Sequence, residues 1–235
     1  MALRQLPMCG RFTQHYTWAQ IHEFLSVTGA PQNLRPRYNI APTTRVDMVR
    51  HDAEGRRELV RGVRWGLVPA WWEKPLKDVP ATFNARVETV ATKPMFRDAY
   101  RKRRCVVPAS GFYEWTGQKG DKQPHIFVDS DGRPVLALAG LWDRWGDPES
   151  GEELLSCTII VTGATEWMTP YHDRMPVLLQ QAEIDRWLAG DMAAEELHPA
   201  AESALREWPI DRRINRTGAG DDDPTLLEPL EADLL

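Results

Sequence analysis

Pro134-Val135-Leu136-Ala137-Leu138-Ala139-Gly140-Leu141-Trp142 carries no charged or polar side chain, and Leu155-Ser156-Cys157-Thr158-Ile159-Ile160-Val161-Thr162 is nearly as apolar. Both runs are far too short to span a membrane as helices. Neither alternates between apolar and polar, so each reads as a strand covered on both faces. Outward from this pair, shorter strand-like runs lie at Arg45–Arg50, Glu58–Leu67, Cys105–Val107, Phe112–Trp115 and His125–Val128. Thr17 is placed to cap a helix running to about Val27, with Trp18, Ile21 and Leu25 on one face and Gly29 and Pro31 as its stop. Further helices are expected over Pro94–Arg103, Ala182–Leu188 and Ala193–Leu205, and Pro36–Pro42 reads as a surface loop. Strands outnumber helices and do not alternate with them as a doubly wound sheet requires. The expected fold is therefore α+β: one mixed, mostly antiparallel β domain with peripheral helices.

A chain of 235 residues is long enough for one substantial core. It shows no internal repeat, no secretory signal and no apolar stretch of membrane-spanning length. Its three cysteines, Cys9, Cys105 and Cys157, are odd in number and far apart, which suits a reducing cytoplasm and builds neither a disulfide framework nor a zinc site. No metal or organic cofactor is expected. The net charge of −5 is more than accounted for by the six acids of residues 221–235, Asp221, Asp222, Asp223, Glu228, Glu231 and Asp233. The remaining body can thus present a basic face, with Arg97, Arg101, Lys102, Arg103 and Arg104 crowded together. Residues 221–235 form an acidic tail, and the Gly- and Asp-rich stretch Gly218–Asp223 that leads into it is expected to pack poorly.

Four segments combine a reactive side chain with an unusual setting. Met8-Cys9-Gly10-Arg11-Phe12 would offer both an α-amine and a thiol on one residue if Cys9 were the first of the chain. Such a 1,2-aminothiol captures aldehydes: the amine forms an imine and sulfur closes a thiazolidine ring. Both groups titrate near neutrality, at about 8.5 for a thiol and about 8 for an α-amine. As written, Met1–Pro7 precede Met8, so they are read as a leader that is removed or that lies upstream of the true start. Asn84, Arg86 and Glu88 would share one face of a strand. Glu114, between Tyr113 and Trp115, is a carboxylate in apolar company, suited to moving a proton. His172, on a loop between Pro170 and Pro176, suits general acid–base work near neutral pH. Trp71-Trp72 could stack on unpaired bases. No phosphate-binding glycine loop, H-E-x-x-H or G-x-S-x-G is present, which disfavours nucleotide hydrolysis, zinc peptidase and α/β-hydrolase chemistry.

In order along the chain, MCGRF (Met8–Phe12), YNIAPT (Tyr38–Thr43), WGLVPAW (Trp65–Trp71), FNARVET (Phe83–Thr89), RRCVVPASGFYEW (Arg103–Trp115) and HDRMPVLL (His172–Leu179) resemble the SOS-response-associated peptidase (SRAP) family over roughly residues 8–220. The resemblance implies a protein that senses abasic sites in single-stranded DNA and crosslinks to them through an N-terminal cysteine. It implies Cys9 as nucleophile, Asn84 and Glu114 against the reacting sugar, and His172 as the group that opens the sugar ring. By the same resemblance Arg11, Arg86 and Arg174 hold phosphates, Trp71 packs on the DNA, and Pro42 and Met95 wedge between bases flanking the lesion. The implied partners are single-stranded DNA and replication-fork proteins, with no membrane, for a cytoplasmic monomer. Two other readings of the residues stay open: a cysteine peptidase or amidase using Cys9 and His172, and a non-covalent single-strand binder.

Overall fold

A computed structural model describes residues 10–118 and 120–230; Cys9 and the acids Glu231 and Asp233 lie outside that range. Twelve strands are described: β1 (Phe12–Gln14), β2 (Arg37–Ile40), β3 (Arg45–His51), β4 (Arg57–Trp65), β5 (Asn84–Arg86), β6 (Arg104–Ala109), β7 (Gly111–Thr116), β8 (Gln123–Asp129), β9 (Leu136–Gly146), β10 (Glu153–Gly163), β11 (Arg174–Pro176) and β12 (Leu205–Pro209). Three α-helices accompany them: α1 (Trp18–Leu25), α2 (Arg97–Lys102) and α3 (Ile184–Ala189). The two apolar runs are β9 and β10, the second half of β9 pairing with the first half of β10 from Glu153↔Gly146 to Ile159↔Gly140. Each then pairs outward, β9 with β6 and β10 with β4, and β3 joins β4 to β6. That closes a barrel-like ring, with β5 and β11 added along β10. The pairings are antiparallel except β10 with β4 and with β5. A second sheet, in the order β12-β8-β7-β1-β2, is antiparallel throughout.

Alternation along the strands sorts the core into three layers. One face of the larger sheet, with Val49, Val106, Ala139 and Ile160, packs against Ile21 and Leu25 of α1, Tyr100 of α2 and Trp187 of α3. Its other face, with Met48, Trp65, Cys105 and Ile159, meets Phe12, Phe112 and Phe127 of the smaller sheet. The far side of the smaller sheet, carrying Tyr113 and Ile126, is covered by Ile210, Ile214 and Leu226 of the C-terminal segment. Thr17 caps α1 with a reciprocal Gln20 bond, and Ser26 in the left-handed region ends it.

Three expectations are corrected. Residues 36–42 are not simply a surface loop: β2 runs through them, with Asn39 and Ile40 buried because β1 pairs with β2. The helix expected over Ala193–Leu205 is broken by Pro199 into two 3₁₀ turns followed by β12. Gly218–Asp223 does pack. Asp221 accepts hydrogen bonds from Arg37 Nε at 2.7 Å and from the Asn39 amide at 3.1 Å, while Asp223 caps a 3₁₀ turn that buries Leu226. An acidic segment packs where an arginine and main-chain amides stand ready to donate to its carboxylates.

Candidate active site

The chain passes from one sheet to the other at Ser110, between β6 and β7. The Ser110 amide donates to the Thr13 carbonyl at 2.7 Å, and its Oγ accepts from the His15 amide at 3.1 Å. Gly111 is required there, because a Cβ would stand 2.8 Å from the Phe127 carbonyl oxygen. From this corner β7 sends Phe112 and Glu114 toward the barrel and Tyr113 toward the C-terminal segment. Glu114 is 3% exposed, far more buried than an unengaged carboxylate tolerates, and it does have a partner. The register of β1 on β7 runs Thr13↔Gly111, Phe12↔Phe112, and the Tyr113 amide donates to the Arg11 carbonyl at 3.0 Å. One residue further, this antiparallel register sets Gly10 opposite Glu114.

His172 arrives over the same face. The turn before it is tied by Met168, which is fully buried and whose carbonyl accepts from the amides of Tyr171 at 3.0 Å and His172 at 3.2 Å. Tyr171 then packs edge-on against Phe127, with ring centroids 5.0 Å apart, and against His125, 4.9 Å apart. Phe127 stacks on Phe112, and His125 is the cross-strand neighbour of Glu114. Nδ1 of His172 accepts from the Arg174 amide at 3.0 Å, yet lies 2.9 Å from Asp173 Oδ1, a contact it can make only as a donor. One nitrogen thus has two neighbours of opposite character, an N–H donor and a carboxylate acceptor.

Asn84 comes from the barrel side. β5 runs parallel to β10 with Asn84 opposite Ile159, and the Ile159 amide donates to the Phe83 carbonyl at 3.0 Å. Edge-on contacts run from Phe12 to Trp65 and from Trp65 to Phe83, linking β1 to the residue before Asn84. Strand geometry ends at Arg86, so the shared face with Glu88 is not made; Glu88 instead pairs with Arg174, fastening this segment to the loop of His172. Asn84, Glu114 and His172 are thus carried on segments that brace one another. Asn84 and Arg86 also line an open groove of about 640 Å³ with Phe83, Lys93 and Phe96.

The remaining residues of interest are dispersed around this centre. Trp71, 48% exposed, is presented by a fixed loop: the Ala70 amide donates to Asp143 at 3.1 Å and Trp145 Nε1 to the Trp72 carbonyl at 2.6 Å. Pro42 is half-buried beside Thr43, whose φ of +71° is unusual for a β-branched residue and whose amide donates a hydrogen bond to the Trp65 carbonyl at 2.7 Å. Met95 is half-buried against the helical side of the core. Arg11 is not at the surface. It is 8% exposed on the outer face of the smaller sheet, bonded to Asn39, to the Ile214 carbonyl at 2.8 Å and to Thr217 at 3.0 Å, and burial pulls its pKa below the ordinary value.

Two of the three cysteines are set apart by burial. Cys105 and Cys157 are inaccessible, and burial raises both thiols, Cys157 to about 12, so neither supplies a thiolate near neutral pH. Sequence reasoning also missed His125, Tyr171 and Glu207, which join into one network beside Glu114. Only the hairpin register, with Glu114 opposite His125, could have hinted at it.

A buried carboxylate, an amide and a histidine thus stand on segments that are tied to one another. The model of the SOS response associated peptidase (SRAP) family matches residues 8–217, and the chain belongs to that family. It is 36% identical over 183 residues to the abasic site processing protein YoqW of Bacillus subtilis, covering 77% of this chain and 80% of that one. It is 32% identical over 202 residues to the abasic site processing protein YedK of Escherichia coli, covering 83% and 86%. A crystal structure of a protein from Bacteroides thetaiotaomicron superposes with a TM-score of 0.80 at 25% identity, covering 94% of this chain and all of that one.

Proposed function

We propose that this protein captures abasic sites in single-stranded DNA as a covalent thiazolidine on Cys9. The observation that supports the reading is the β1–β7 pairing, whose register, continued past Phe12 and Arg11, would bring Gly10, the covalent neighbour of Cys9, opposite the buried Glu114. The names of the relatives, abasic site processing proteins, support the choice of substrate.

An abasic deoxyribose is mostly a closed hemiacetal. His172 takes the C1′ hydroxyl proton and hands it to the ring oxygen as the C1′–O4′ bond breaks, which opens the ring to its aldehyde and a free hydroxyl. The Cys9 amine adds to C1′, and Glu114 protonates the departing hydroxyl, so one water leaves and an imine forms. The Cys9 sulfur then adds to the imine carbon while its proton passes to the ring nitrogen, closing the thiazolidine. Asn84 orients the sugar by hydrogen bonds. Holding amine, thiol and aldehyde together makes the second closure intramolecular. Arg86 and Arg174 hold flanking phosphates, Trp71 stacks against the strand, and Pro42 and Met95 separate the neighbouring bases. The same groups run in reverse, so the adduct is releasable.

The reaction requires Cys9 to be the first residue, because a peptide nitrogen cannot form an imine. The test is intact mass after incubation with an abasic single-stranded oligonucleotide. The expected mass is that of a chain beginning at Cys9 plus the DNA less one water. An adduct that retains residues 1–8, or turnover of an unrelated peptide without any adduct, would overturn the reading.

A further inference from the structure

His125 on β8, Glu207 on β12 and Tyr171 in the turn before β11 are far apart in sequence, yet one carboxylate joins them. Glu207 Oε2 lies 2.8 Å from His125 Nδ1, and Glu207 Oε1 accepts from the Tyr171 hydroxyl at 2.9 Å. The other ring nitrogen of His125 is 3.1 Å from Thr116 Oγ1. One proton assignment satisfies every atom: Thr116 donates to Nε2, Nδ1–H donates to Glu207, and Tyr171 donates to the second carboxylate oxygen. The side chains of His125 and Glu207 are only 13% and 20% exposed, so these bonds work with little competition from water.

The position of this cluster gives it a role. Its histidine is the direct cross-strand neighbour of Glu114, and its tyrosine is the residue before His172. Tyr171 also rests its ring on both His125 and Phe127, so the hydroxyl bond fixes the rotation of a ring already packed on the sheet. The groups facing the cluster from neighbouring elements are Thr116 and Glu114 on β7, Trp167 in the turn, and Phe127 on β8. The Tyr171 hydroxyl is raised to about 12, by burial first and then by Glu207, so it remains a donor throughout the working range.

We propose that Glu207 is a positioning residue that latches the turn carrying His172 onto the strand pair carrying Glu114, through Tyr171 on one side and His125 on the other. The inference rests on the crosslinking reading for its catalytic consequence, though the latch itself is a statement about the fold. Strand β12 thereby holds the distance between the group that opens the sugar and the group that shuttles the imine protons. Without the latch the DNA still binds, because none of the three side chains faces the groove beside Asn84.

The experiment compares wild-type protein with Glu207→Gln, Tyr171→Phe and the double variant, all on the full chain. Hydrogen exchange of the amides of residues 165–173 is the first readout. Both single variants are expected to speed exchange there about tenfold, the worth of one hydrogen bond to a charged acceptor, with melting temperature nearly unchanged. Exchange at the wild-type rate in both would overturn the latch. The second readout is single-turnover adduct formation on an abasic single strand at saturating DNA. The rate constant is expected to fall about tenfold, with half-saturating DNA concentration unchanged, and the double variant no slower than the slower single one. Independent, multiplying losses, or a loss of DNA affinity alone, would overturn it. A wild-type protein that forms no adduct at all sinks the crosslinking reading, while the exchange result still decides the latch.

Discussion

The two faces of the smaller sheet use the same strands for opposite ends. On the inner face Phe112, Glu114, His125, Phe127 and Glu207 look toward the barrel and the turn of His172. On the outer face Tyr113, Ile126 and the buried Arg11 are sealed by residues 210–227. Each face buries charge, but on the outer one Arg11 is held by neutral groups, the Ile214 carbonyl and the Asn39 and Thr217 side chains. The inner one pairs a histidine, a carboxylate and a tyrosine hydroxyl beside Glu114. Period-two alternation keeps the two apart at a separation of one residue, Tyr113 from Glu114. The sealed outer face can therefore hold the inner one in place.

The comparison breaks most heavily at Arg11. Arg11→Met would leave the Ile214 carbonyl and Asn39 Oδ1 without their Arg11 donor and is expected to cost about 2–4 kcal/mol in urea unfolding. Any adduct rate measured on the folded fraction should change little, and the salt dependence of DNA binding should stay as it is. A normal stability with a flatter salt slope would move Arg11 from the outer-face framework to the phosphates. Glu114→Gln is the mirror case. It should slow adduct formation about a hundredfold and shift the unfolding midpoint little. Rapid adduct formation by this variant would remove Glu114 from the proton path.

Smaller effects sharpen the same contrast. Tyr113 donates its hydroxyl to the Tyr38 carbonyl at 2.7 Å beneath the C-terminal cover, so Tyr113→Phe is expected to cost about 1 kcal/mol and leave chemistry alone. His15, stacked on Tyr38 with Nδ1 2.7 Å from Thr13 Oγ1, has its pKa lowered by burial. The unfolded chain then takes up a proton that the folded chain refuses. Its contribution is fully present above the unfolded value of about 6.5 and is lost as pH falls below it. Unfolding curves at pH 7 and pH 5 should differ less for His15→Gln than for wild type, by under about 1 kcal/mol.

Much of the barrel was legible from hydrophobicity alone. β9 and β10 are where the two apolar runs lie, and Thr17 caps α1 as its side chain suggests. The smaller sheet was harder to read, because β1 and β2 are three- and four-residue strands whose membership depends on partners elsewhere in the chain. Residues 218–223 looked too acidic to pack, since composition does not reveal that Arg37 and the Asn39 amide wait for Asp221. Glu114 stood out by its aromatic neighbours, whereas Glu207 has no local mark; its meaning comes from His125 and Tyr171, which only the fold brings to it.

The central claim is that a strand delivers a free terminal aminothiol to Glu114. It is tested most directly by timing adduct formation for two chains, one whose first residue is Cys9 and one that retains Met8 ahead of it, on the same abasic single strand. The account predicts a heat-stable adduct, heavier than the chain by the DNA less one water, for the first chain and none for the second. Equal rates of a stable adduct in both would show that the α-amine takes no part, and would contradict it.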